Sequence, residues 1–301
     1  MKLSLFSPSG VVMQPPALRL AAKRLGAMGF EVAVDEAALA RHQRFAGDDD
    51  TRLAAIERVA RAAPDVALAV RGGYGLTRLL PRLAWKRIAG SVEQGTRWVG
   101  HSDFTALQCG LLATTGAPSW AGPMATDNFG RSEAEGGLDE VTADCFAEAM
   151  RGELEAVGFS TESGHDGLDK RGVLWGGNLA MLCSLLGTPW FPKAAQVKGG
   201  LLFLEDVNER PFRVERMLLQ LLHAGVLGSQ RAVLLGHFTN AKPSPADRGH
   251  RLRQAIEHVR STTRVPVLTG LPMGHVETLV TLPFGRRARL LVDGRQALLG
   301  W

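Results

Sequence analysis

The chain has 301 residues, 45% of them hydrophobic and 22% charged, proportions that suit a globular protein and exclude a disordered one. The net charge of +5 is spread along the sequence without a basic block, which argues against a dedicated nucleic-acid surface. The length fits two domains, or one large α/β domain, with enough chain to bury a core without covalent staples.

Three cysteines, Cys109, Cys145 and Cys183, stand far apart with no CxxC pair, so neither a disulfide framework nor a zinc site is expected. They read as small apolar residues in helical stretches. The N-terminal apolar run is four residues long and broken by Ser and Pro, too short for a secretion signal. No stretch approaches a membrane span, so the expected location is the cytoplasm, away from any membrane.

The first 120 residues alternate short apolar runs with helical patterns. Leu3 to Phe6 reads as a strand ending in the turn Ser7-Pro8-Ser9-Gly10. A helix over Pro16 to Met28 follows, closed by Gly29, then a strand over Phe30 to Val34. Asp49 to Ala62 is helical, with Asp at its start and Pro64 past its end. Val66 to Val70 is apolar throughout, as a strand covered on both faces requires. Arg97 to Gly100 is a short strand, and Phe104 to Ala113 an apolar helix. This alternation predicts an open parallel sheet, whose ligands gather at the carboxyl ends of the strands.

The stretches Asn128 to Asp139 and Ser160 to Lys170 read as loops around a helix over Leu138 to Arg151, and a domain boundary is placed near residue 150. Beyond it the spacing predicts a strand over Gly172 to Trp175, a Gly-Gly-Asn turn, and a helix over Leu179 to Leu186. A strand over Gly200 to Leu204 ends at Glu205-Asp206. Helices are predicted over Pro211 to His223 and Pro245 to Val259. Strands are predicted over Ala232 to Leu235, Val265 to Leu268, Glu277 to Leu282 and Ala288 to Val292, with Pro283-Phe284-Gly285 as a turn. The expectation is an N-terminal α/β domain over 1–150 and a smaller, mixed, barrel-like domain over 151–301.

Chemistry concentrates in a few segments. Trp98-Val99-Gly100-His101-Ser102-Asp103-Phe104 runs from a strand through a tight turn into a helix, the setting of a nucleophile elbow. Position 104 is Phe where the usual pattern has Gly, and taken alone Ser102 also fits an ordinary helix cap. A base for that serine is offered by His275 in Leu271-Pro272-Met273-Gly274-His275, with His237 as competitor. Either also fits a loop histidine bonded to the backbone. Glu205, at the end of an apolar strand, suits the acid that orients such a base, although it also suits a negative charge ahead of the helix at Pro211. The loop Arg71-Gly72-Gly73-Tyr74-Gly75 lacks a phosphate-binding Gly-Lys-Ser/Thr ending and lies after the third strand, so it is read as a source of a backbone N–H for the serine site. Arg71 is placed to meet a carboxylate or to form a structural ion pair.

Taken in order, Ser7-Pro8-Ser9-Gly10, Arg71-Gly72-Gly73-Tyr74-Gly75, Gly100-His101-Ser102-Asp103, Gly176-Gly177-Asn178-Leu179, Leu204-Glu205-Asp206 and Gly274-His275 resemble the motifs of the LD-carboxypeptidase family, from residue 3 to about 292. The resemblance implies a flavodoxin-like or Rossmann-like N-terminal domain, a barrel-like C-terminal domain and a homodimer. It implies a serine peptidase that needs no metal or cofactor and acts on murein tetrapeptides during peptidoglycan recycling. It maps the nucleophile onto Ser102, the base onto His275 and the orienting acid onto Glu205. The oxyanion hole maps onto the backbone N–H of Asp103 and of Gly72 or Gly73. Arg71, Trp175 and Asn178 are candidates for substrate contact, with a core Trp and a structural turn Asn as the competing readings of the last two. His101 stands where the family often has an aromatic residue, which bears on substrate detail. Related enzymes hydrolyse other acyl derivatives, including a peptide-nucleotide antibiotic, so a self-immunity hydrolase is the alternative function.

Overall fold

The computed structural model describes residues 1–301. The first half of the chain contributes strands β1 (Lys2–Phe6), β2 (Glu31–Val34), β3 (Val66–Ala69), β4 (Arg97–Gly100) and β5 (Ser119–Ala121). Among them lie helices α1 (Pro15–Ala27), α2 (Asp49–Ala62), α3 (Trp85–Glu93), α4 (Thr105–Thr115) and α5 (Glu140–Arg151). The second half contributes β6 (Ala156–Ser160), β7 (Asp169–Asn178), α6 (Leu179–Leu185), α7 (Ala194–Val197), β8 (Leu201–Val207), α8 (Pro211–His223), β9 (Ala232–Thr239), α9 (Leu252–Thr262) and β10 (Val267–Thr269). The chain ends with β11 (Leu282–Phe284), β12 (Arg286–Asp293) and β13 (Gln296–Gly300). No helix is long and apolar enough to cross a membrane.

Two compact units result, one formed by Met1–Leu154 with Glu277–Pro283, the other by Glu155–Val276 with Phe284–Trp301. In the first, the sheet order is β11-β5-β4-β3-β1-β2, and the pairings among β1 to β5 are all parallel. The order 2-1-3-4-5 is the flavodoxin-like one, which reverses between β1 and β3 and opens a crevice at their carboxyl ends. All four residues of β3 are buried, as its apolar sequence demands. Helix α2 starts where the Asp48 side chain accepts from Thr51 N–H, with Asp49 and Asp50 favouring its positive end. Nine of the eleven residues of α4 are buried, which explains its lack of a polar face.

The second unit is a seven-stranded mixed sheet of order β10-β9-β8-β7-β12-β13-β6. Strands β7 to β10 pair in parallel, and β7, β12, β13 and β6 pair antiparallel. The sheet curls into a half barrel: at Gly270, just past β10, a side chain would overlap the Ser160 carbonyl at the end of β6.

Several elements depart from the sequence reading. Gly176-Gly177-Asn178 is not a turn but the end of β7. The glycines are needed there because φ is +144° and +112°, and a Cβ on Gly176 would overlap the Phe203 backbone of β8. Strand β8 does not stop at Leu204 but continues through Glu205 and Asp206. The helix expected from Pro245 begins only at Leu252, because Arg248 and Gly249 both take positive φ and break the run. The strand expected over Glu277 to Leu282 is instead β11, which includes Pro283 and Phe284; proline is tolerated there because β11 is the sheet edge.

Candidate active site

Ser102 sits where β4 gives way to a single 3₁₀ turn, Ser102–Phe104, that feeds α4. Its φ is +60°, in the left-handed region. A non-glycine residue held there costs about 1–3 kcal/mol, so the surrounding structure must enforce it. Two glycines and two polar side chains do so. Gly100 leaves room for the Phe104 ring, whose atoms would lie 2.7 Å from a Cβ at position 100. The space that the usual elbow gains from a glycine after the serine is supplied here by the glycine before it. Gln108 of α4 donates to the carbonyls of Gly100 (3.3 Å) and Trp120 (2.9 Å), fixing β4 and β5 beneath the turn. His101 is buried with Nδ1 2.9 Å from Gly122 O, so its side chain serves the sheet edge.

Against Ser102 lies Gly72. A Cβ on Gly72 would stand 3.0 Å from both Cβ and Oγ of Ser102, so a larger residue here would push the serine by a few tenths of an ångström. The Gly72 carbonyl accepts from Gly10 N–H at 3.0 Å, joining the loops that follow β3 and β1 across the point where the strand order reverses. Asp103 is buried beside them, and its Oδ2 accepts from Leu76 N–H at 3.0 Å. Burial pushes the Asp103 carboxyl up from its ordinary value, while the N–H groups of Leu76 and Gly75, the Ser9 hydroxyl and the charge of Arg52 pull it down. Arg71 donates to Val11 O at 2.9 Å and lines a cavity of about 320 Å³ together with Asp127, Arg131 and Glu135.

In the second unit, Glu205 is fully buried in β8, where the pairing with β9 shifts register. Two β9 residues, Gly236 and His237, oppose Glu205 there, a β-bulge of the kind that re-aims a side chain. Glu205 Oε2 lies 3.0 Å from His275 Nδ1, and the imidazole is one-quarter exposed. A carboxylate only accepts, so Nδ1 carries the proton and Nε2 is the ring's basic nitrogen. Gly274, at φ +133°, lets the chain pass close to Glu205 and to the His237 backbone. The competing His237 is exposed, and its backbone N–H is used by Met273 O at 2.8 Å.

Asp206 neighbours this pair and holds it to α6. Its Oδ1 accepts from Asn178 Nδ2 (3.0 Å) and Val207 N–H (2.8 Å), its Oδ2 from Ala180 N–H (2.9 Å). Burial pushes the Asp206 carboxyl up to about 6, and the neighbouring Glu205 adds to the rise. The sequence reading took Asp206 as a neighbour of Glu205 and missed this role; the signal that could have found it is the pairing of an Asx residue at a helix start with an acid one strand away. Two sequence candidates for substrate contact have structural partners. Trp175 is fully buried, donates to Gln230 at 3.0 Å and packs edge-on against Phe191. Asn178 is buried and caps α6 through Met181 N–H while holding Asp206.

The strained serine between strand and helix in the first unit, and the histidine held by a buried glutamate in the second, are the groups that a serine hydrolase uses. Residues 3–122 match the LD-carboxypeptidase N-terminal domain and residues 171–290 the LD-carboxypeptidase C-terminal domain. The crystal structure of a muramoyltetrapeptide carboxypeptidase from Oxalobacter formigenes is 39% identical, with a TM-score of 0.88 over 99% of this chain and 98% of its own. The murein tetrapeptide carboxypeptidase of Pseudomonas aeruginosa is 28% identical over 96% of this chain and 92% of its own length. The microcin C7 self-immunity protein of Escherichia coli is 24% identical over 77% of this chain and 73% of its own. The chain belongs to the LD-carboxypeptidase family and is a serine-type carboxypeptidase.

Proposed function

We propose that the protein removes the terminal D-alanine from murein tetrapeptides in the cytoplasm, as a homodimer, during peptidoglycan recycling. In this reading Ser102 Oγ attacks the scissile carbonyl and His275 Nε2 takes its proton. Glu205 holds Nδ1 and stabilises the imidazolium. The backbone N–H of Asp103 and one from Gly72-Gly73 receive the developing oxyanion. His275 then returns the proton to the leaving D-alanine amine, and water attacks the acyl-enzyme to regenerate Ser102. Arg71 is the partner for the D-alanine carboxylate, since one guanidinium nitrogen is spent on Val11 and the side chain borders a cavity beside the glycine loop.

The observation that carries this reading is the 3.0 Å His275–Glu205 hydrogen bond with its acid sealed from water. The similarity to the two murein tetrapeptide carboxypeptidases supports the substrate. The test is D-alanine release from muropeptide tetrapeptides by wild type and Ser102→Ala. Wild type is expected to release D-alanine and the variant to lose about 10⁴–10⁶ in rate. A folded wild type that releases none would instead favour the self-immunity alternative, cleavage of a peptide-nucleotide, which the similarity to the microcin protein makes the next substrate to assay.

A further inference from the structure

Three loops meet at the carboxyl edge of the first sheet: Ser7–Gly10 after β1, Arg71–Leu76 after β3, and His101–Phe104 after β4. Two ties involve backbone the catalytic reading already uses, the Ser102–Gly72 approach and the Gly10–Gly72 hydrogen bond. A third tie is a side chain. The buried Asp103 carboxylate accepts from Leu76 N–H at 3.0 Å, and the Gly75 N–H and the Ser9 hydroxyl favour its charged form. One carboxylate thus joins the loop after β4 to the loop after β3.

The site below Asp103 is built to hold that carboxylate. Arg52 of α2 is fully buried, an unusual place for arginine unless it is paired. It donates to Pro8 O at 3.2 Å, pairs with Asp49, and lies 4.7 Å above the Phe45 ring. Its guanidinium occupies the space where a Cβ on Gly75 would fall, and its charge acts on Asp103. Gly75, at φ +150°, is the residue that lets the loop settle onto this cation. The glycine loop is therefore clamped from below at Gly75 and Leu76, three and four residues from the Gly72 that faces Ser102 Oγ.

We propose that the Asp103 side chain is a positioning residue, which sets the glycine loop against Ser102 so that the loop N–H meets the oxyanion. This rests on the serine reading above but extends it, because the family assignment concerns the Asp103 backbone N–H, which every substitution of the side chain retains. Gly72 stands 3.0 Å from Ser102 in Cβ-equivalent terms, so a loop shift of even 1 Å alters the wall of the reacting centre. Misplacement on that scale costs on the order of 10²-fold in rate, and loss of an oxyanion donor about 10²–10³-fold.

The test compares wild type, Asp103→Asn and Asp103→Ala as full chains. Three readouts are taken: kcat and KM for D-alanine release, the rate at which a fluorophosphonate probe labels Ser102, and the thermal midpoint. Asp103→Ala is expected to lower both kcat and labelling by about 100-fold with KM within about threefold. Asp103→Asn, which keeps one acceptor for Leu76 N–H, is expected to fall between Ala and wild type. If Ala does not fold, the isosteric Asn variant carries the test alone, with about a tenfold loss in kcat expected. Wild-type kcat and labelling in either folded variant would overturn the proposal, as would a loss confined to KM. Labelling does not depend on the murein substrate, so a wild type that labels at Ser102 but releases no D-alanine overturns the substrate reading while leaving the Asp103 comparison intact. A wild type that does neither overturns both.

Discussion

At the scale of single residues, the candidate site is a set of groups whose neighbours leave each one a single task. Glu205 is sealed in β8 with His275 as its hydrogen-bond partner, an arrangement that suits the proposed role of orienting one imidazole. Glu205→Gln would keep the shape but remove the charge that stabilises the imidazolium and fixes the tautomer. Its kcat for D-alanine release is expected to fall by about 10³–10⁴ at nearly unchanged KM. The exposed His237→Ala, which keeps the backbone N–H bond to Met273 O, should stay within about threefold of wild type. Equal losses in the two variants, measured side by side, would remove His275 from the role of base. Glu205, His275 and Ser102 could be singled out in the sequence because a strand end, a Pro-Gly-flanked histidine and a strand-to-helix serine are local patterns. Asp103 and Asp206 could not, since the value of each carboxylate comes from N–H groups far away in the chain or on another strand, as with Leu76 for Asp103.

At the scale of elements, Asp206 shows how a strand and a helix are locked behind the reactive pair. It ties β8 to the start of α6 through two hydrogen bonds, from Asn178 Nδ2 and Ala180 N–H. Its folded pKa of about 6 lies above the ordinary aspartate value of 3.8, so the folded state holds the proton more tightly than the unfolded chain does. Stability then falls as pH rises from about 4 through about 6, and the penalty is full above that window; acidification relieves it. The relief amounts to at most ~3 kcal/mol. Asp206→Asn cannot titrate, so the difference between wild type and variant in urea unfolding should change between pH 7 and pH 4.5, in favour of wild type at the acid end. A difference constant across that range would show that Asp206 titrates normally. The same region shows why some elements escaped sequence reading. Gly176-Gly177 carries a turn signature, yet the glycines serve the close approach of β7 to β8, which only the sheet reveals. Helix α3 begins with neither a side-chain cap nor a proline, so it lacked the punctuation that the leading prolines gave α1 and α8 and that Asp48 gave α2. The parallel core strands and their order of helices were readable because burial on both faces writes itself as an unbroken apolar run.

At the scale of the whole molecule, the chain does not simply finish one unit and begin the next. After His275 it re-enters the first unit for Glu277–Pro283 before completing the second. This returning segment is held by Thr142 of α5, whose hydroxyl accepts from Leu279 N–H at 2.8 Å and lies 3.2 Å from Glu277 O. Thr278 adds a hydrogen bond to Asp139 at 3.0 Å, and Leu279 and Leu282 are fully buried. The segment that follows the proposed base by two residues is thus anchored through a partner 137 residues away in sequence. Thr142→Val preserves volume but strands the buried Leu279 N–H, and an unsatisfied buried donor costs about 1–3 kcal/mol. Urea unfolding should show a loss of that size for Thr142→Val and little for Thr142→Ser, which keeps the acceptor. D-alanine release by Thr142→Val, assayed below its unfolding midpoint, should fall as well, because His275 is set by a chain whose next anchor has been cut. A variant destabilised to the expected extent yet fully active would show that Gly274 and the Glu205 bond position His275 without help from the returning segment.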